Sequence, residues 1–158
     1  MKRIILTMAA LCGVAAAQPN CSVNTVVGTY AISYLGWLTV VVPNAPPATY
    51  SGGILGIVSI DWSGNVVGTG AVAGMGPITD YDVSGTITIK SDCTGTIRLT
   101  GQPKGSSGPP TMVEVDRFVF LRDLDEFRLT IWDMGPGVYP ALFGTWKRIA
   151  RAPDAAAW

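Results

Sequence analysis

The chain has 158 residues, with eleven basic and eleven acidic side chains, three Cys and no His; 48% of it is hydrophobic and only 14% charged. The length fits one domain of ordinary size, and a balanced charge lacks the basic footprint of a general nucleic-acid binder. The missing imidazole excludes Ser-His-Asp and Cys-His catalysis and every metal site built on His.

Lys2 and Arg3 precede an apolar stretch, residues 4–14, and Ala15-Ala16-Ala17 follows. That order predicts a signal peptide over residues 1–17. The stretch is too short to span a bilayer comfortably, so the mature chain is expected to be secreted or periplasmic, without a transmembrane anchor. Removal of the leader leaves nine basic and eleven acidic residues, a net charge of −2. It also removes Cys12 and leaves Cys21 and Cys93, an even pair in an oxidising compartment, which predicts a disulfide.

The mature chain reads as strands. No window holds a 3.6-residue apolar period for three turns. Eight short runs, many of them β-branched, recur at 25–34, 52–61, 65–73, 80–90, 94–100, 112–121, 126–133 and 142–149, with turn residues between them. Such spacing predicts an all-β sandwich or barrel. With no room for crossover helices, the expected fold is an eight-stranded antiparallel up-and-down barrel, calycin-like, over residues 18–149, with a loose tail at 150–158. The connections at 62–64, 91–93 and 122–125 read as tight hairpins. Those at 35–51, 74–79, 101–111 and 134–141 read as long and rich in Gly and Pro. Every second connection of such a barrel lies at one end, so the long ones form a mouth and the tight ones a floor. Cys21 and Cys93 both fall at the floor.

Alternation along the runs places Val83, Ile87, Ile97 and Leu99 inward, with Ile87 opposite Ile97. In the sixth run, a symmetric hairpin pairs Phe118 with Leu129 and Phe120 with Phe127. That register turns Glu114 and Asp116 inward, and it sets Glu114 opposite Asp133 near the mouth. Partial burial and like charge both raise carboxyl pKa values, so Glu114, Asp133 and Asp116 are the acid–base candidates if the protein is an enzyme. As rim carboxylates, they would instead be solvated or paired with Arg98 or Lys104. No metal site and no cofactor are expected. Leu35, Trp37, Leu38, Met75, Met112, Met134, Val138 and Tyr139 are the apolar residues at or near the mouth, where they would gate a small apolar ligand or simply plug the opening. Val113, Val115 and Trp132 are expected on the outer wall, and Trp62 stands at a hairpin tip on the floor. A monomer is expected.

Gly28-Thr29-Tyr30, then Asp61, Gly64-Asn65 and Gly68, Val83-Ser84-Gly85-Thr86, Asp92-Cys93-Thr94-Gly95-Thr96 and Gly144-Thr145 occur in an order that resembles a family of uncharacterised secreted bacterial proteins. That family is expected to form a small lipocalin-like or allene-oxide-cyclase-like β-barrel. The resemblance implies export and the barrel; it assigns no catalytic residue. Three functions follow as expectations. The first is a secreted barrel binding a small apolar molecule through its long-loop end. The second is a cofactor-free cyclase or isomerase using lumen carboxylates. The third is a structural or cell-envelope interaction protein.

Overall fold

The computed structural model describes residues 20–74 and 76–151; the expected signal peptide, Met75 and all of the tail beyond Arg151 lie outside the described residues. Eight antiparallel strands close into a barrel in sequence order: β1 (Gly28–Val40), β2 (Ala48–Ile60), β3 (Asn65–Ala73), β4 (Thr79–Ile89), β5 (Thr94–Pro103), β6 (Met112–Leu121), β7 (Glu126–Asp133) and β8 (Val138–Ala150). Closure leaves no unpaired sheet edge. No described helix is long and apolar enough to cross a membrane.

Strands extend further toward the mouth than the sequence reading expects. The stretch 35–51, read as one long loop, is mostly ladder: Leu35–Val40 pairs with residues 48–53 on one side and 138–143 on the other. Gly36 looks like a turn signal, yet it lies inside β1, whereas Gly52 and Gly53 fall inside β2 as the run 52–61 places them. A Cβ at Gly36 would overlap the Ala141 carbonyl, so this glycine allows β1 and β8 to approach closely. The mouth connections are therefore residues 41–47, 74–78, 104–111 and 134–137, and the floor connections 61–64, 90–93 and 122–125. The two sets still occupy opposite ends. At the other limit of β1, residues 23–26 form a helical turn, α1 (Val23–Val26), instead of strand.

Inward residues alternate as expected. Ile87 faces Ile97, Phe118 faces Leu129 and Phe120 faces Phe127. An eight-stranded barrel has an interior just wide enough for side chains to fill it, and here aromatic rings fill the floor half. Phe127 is fully buried and lies 4.8–5.9 Å, centroid to centroid, from Tyr30, Phe118, Phe120 and Trp146. Each such pair contributes about 1 kcal/mol beyond area burial.

The floor is sealed by α1, the disulfide and one arginine. Cys21 and Cys93 are bonded, with Cα atoms 5.0 Å apart, and Cys21 N–H donates to Ser91 O. The buried Arg148 donates to the Tyr30 hydroxyl, to Thr25 O in α1 and to Asp125 Oδ1. Tyr30 in turn donates to Val26 O, and burial, the leading cause, pushes its pKa up to about 12. Trp62 is 43% exposed beside this assembly.

Candidate functional site

The mouth half of the lumen holds the only buried carboxylates that point inward among the described residues. Glu114 and Asp116 are 2% and 0% exposed, on consecutive inward positions of β6. Tyr34 on β1 reaches Asp116, and Trp146 on β8 holds Tyr34 in place. Trp146 Nε1 donates to the Tyr34 hydroxyl at 2.8 Å, and that hydroxyl donates to Asp116 Oδ2 at 2.7 Å. Gly144 gives the Tyr34 ring its space. A Cβ there would come within 2.6 Å of Ser33 O and 2.7 Å of Tyr34 Cε1. Gly144→Ala is therefore expected to lower stability by about 2 kcal/mol and to weaken the Trp146–Tyr34 bond. Denaturant midpoints together with Trp146 fluorescence report both effects, and an unchanged midpoint contradicts this account of the glycine.

Burial dominates the electrostatics. It raises Glu114 well above the ordinary carboxyl range, and the adjacent Asp116 carboxylate raises it further. Burial also raises Asp116, to about 6, while hydrogen bonds from Tyr34 and Glu114 pull it back. Tyr34 is raised well above 10 by burial and by both carboxylates. Among the described residues, no Lys or Arg forms an ion pair with either acid; Arg98 and Lys104, the expected partners, do not reach them. Asp116 Oδ1 is buried without a hydrogen-bond partner. A proton on Glu114, shared with Asp116, resolves both the repulsion and the orphaned oxygen. The arrangement is thus a two-carboxyl, one-proton pair.

Glu114 and Tyr34, but not Asp116, line an enclosed lumen cavity with Ile54, Val72, Tyr81 and Met112. Its volume is about 10 Å³, room for about one water. Glu114 faces this space, and its single proton, held by Asp116, is the donor that an entering acceptor would take over.

Asp133 does not join the pair. A β-bulge between Val115 and Asp116 shifts the register, so Asp133 lies opposite Val115 and not Glu114. It is exposed and accepts from Gly135 N–H. The extra residue in the ladder turns the end of β7 over. The apolar mouth residues divide by strand face. Leu38 is buried, and Met112, Met134 and Val138 pack against the core. Leu35, Trp37 and Tyr139 point outward and are 76%, 60% and 62% exposed; once 35–40 and 138–141 are strand, alternation sends them to the outer wall. On that wall Val113 and Trp132 are exposed and Val115 is half-buried.

Tyr34 and Trp146 have no place among the sequence candidates. Their signal lies in the β1–β8 closure, where Tyr34 faces Gly144 and Ile32 faces Trp146. A lone inward Gly opposite an inward Tyr marks a ring that needs room. Among the described residues, no group of three or more Cys, Asp or Glu is placed to hold a metal ion. In comparisons with known proteins, no family model matches the chain and no curated protein matches it.

Proposed function

We propose that this is a secreted barrel that binds a small, largely apolar molecule through its long-loop end. The ligand carries one hydrogen-bond-accepting group, such as a carbonyl, that meets the Glu114 acid. One observation carries the reading: a buried carboxyl with no cation beside it, Glu114, on the wall of a largely apolar lumen cavity, with Asp116 behind it. Buried carboxyls without a cation are costly to a fold, and strongly perturbed groups cluster at functional sites. The cavity admits only about one water as it stands, so binding displaces the side chains between it and the mouth. Met112, unbranched and half-buried, is the natural one to move. Export is part of the proposal. It is supported by the leader-like first 17 residues and by the disulfide. The secreted-barrel family that the sequence resembles would have the same topology.

The probe is cyclohexanone, compared with methylcyclohexane, followed by the Met112 methyl resonance. The ketone is expected to give a saturable shift and to bind roughly five- to tenfold more tightly than the hydrocarbon, the contribution of one net hydrogen bond. Glu114→Gln keeps a donor and retains the preference; Glu114→Leu removes it. A Met112 methyl that does not move up to the solubility limit overturns the reading.

A second reading uses the same pair for chemistry. With one shared proton, Glu114 can donate and Asp116 can accept, which is what a cofactor-free cyclase or isomerase requires. Ordinary carboxyl pKa values for both residues by NMR titration exclude it.

A further inference from the structure

The outer wall of the barrel is electrostatically lopsided. β1, β2 and β3 contain no Asp, Glu, Lys or Arg at any position. Cations gather instead on the outer faces of β6, β7 and β8. Arg128 and Lys147 share one carboxylate, Glu126. Arg117 forms no ion pair among the described residues; its guanidinium stacks on the Trp132 ring at 3.5 Å from the centroid. Stacking fixes the plane of the guanidinium while leaving its N–H edge free to bind a carboxylate bidentately.

The strand register joins these cations to an apolar strip. One cross-strand row runs Arg117, Thr130, Phe143, Leu35, and the next runs Val119, Arg128, Thr145, Ser33, Leu55. Each row thus begins near a guanidinium on β6 or β7 and proceeds to exposed apolar side chains on β8, β1 or β2. Phe143, Leu35 and Leu55 are 66%, 76% and 67% exposed. An open depression of about 660 Å³ lies over these rows, from Arg117 and Arg128 to Phe143 and Leu35. It runs across the four strands β6, β7, β8 and β1, roughly 14 Å at the usual inter-strand spacing.

We propose that this depression binds a free anionic amphiphile of the fatty-acid class. Its carboxylate meets Arg117 and Arg128, and its alkyl chain lies across Phe143 and Leu35. Charge at one end and uncharged wall at the other select this class: a fully apolar molecule leaves the guanidiniums unused, and a multiply charged one finds no partner over β1. The site lies on the opposite face of the barrel wall from the lumen cavity, and its occupancy is read separately.

The test titrates the full mature chain with dodecanoate below its micelle concentration, mapped by backbone and methyl NMR. Shifts are expected at Arg117, Thr130, Phe143 and Leu35, with the Met112 methyl unmoved. Dodecanol is expected to bind at least fivefold more weakly. Arg117→Gln is expected to weaken dodecanoate about tenfold, whereas Lys104→Gln, on a mouth loop, leaves it unchanged. Equal binding of the alcohol and the acid overturns the proposal, as does a shift pattern confined to the lumen. Phosphatidylglycerol vesicles that bind through Arg117 while free dodecanoate does not would also overturn it, assigning the surface to a membrane.

Discussion

Replacing Cys21 and Cys93 together by Ala is expected to lower folding stability by about 4 kcal/mol. The bond closes a loop spanning 72 residues, and in the chain-entropy account a loop of that size restricts the unfolded ensemble by roughly that amount. For a domain of this length, the corresponding fall in Tm is on the order of 15 °C. The barrel should still close, because the bond lies outside the strand ladder, which runs unbroken around the closed sheet. The α1 segment should also stay docked, since Arg148 holds Thr25 O and Tyr30 holds Val26 O independently of sulfur. Urea denaturation of the double variant, compared with the oxidised protein, measures the change, and amide exchange reports whether α1 frays. A loss under 1 kcal/mol would mean that the unfolded chain already keeps its N-terminus near the 90–93 turn.

The floor of the molecule is the part a reader of the sequence sees most clearly, and the reason is local. The 90–93 and 122–125 turns are short, so register propagates from them without ambiguity; Ile87 with Ile97 and Phe120 with Phe127 follow from the turn alone. Two cysteines at the same end corroborate it. Legibility fades toward the mouth. There glycine serves sheet closure and not turning, so Gly36 and its neighbours Leu35 and Trp37 read as mouth loop and not as outer-wall strand. The bulge at Val115 and Asp116 has no residue signature, and one inserted position is enough to send Asp133 to solvent. The inward turn of Glu114 and Asp116 is legible because they lie in phase with Phe118 and Phe120. Their surroundings are not legible, because Tyr34 is 82 residues from Asp116 in sequence and Trp146, which holds Tyr34, is 112 residues from it and meets it only when β8 pairs with β1.

The carboxyl pair makes stability fall with rising pH, opposite to the usual behaviour of salt-bridged acids. Asp116 moves from 3.8 in the unfolded chain to about 6 in the fold, so the native state keeps a proton that the unfolded chain has already released. Stability from this group is complete below pH 4 and is lost as pH rises to 6, in total about 3 kcal/mol. Glu114 is raised further, so its share continues to decline above pH 6. The exposed Asp61 and Asp92, lowered by hydrogen bonds from Asn65 and Thr94, act in the other direction, but only as pH drops below 4. The maximum is therefore expected near pH 4, with a steep fall toward pH 8. Glu114→Gln separates this account from any other. The amide still donates toward Asp116 but has no proton to lose, so the slope above pH 5 should diminish by about one proton. The two stability curves should then cross, with the wild type equal or better at pH 4 and the variant more stable at pH 8. Parallel curves from urea midpoints across that range would show that Glu114 titrates normally. In that case the lumen holds two solvated carboxylates, and the donor on which ligand binding by the barrel depends does not exist at neutral pH.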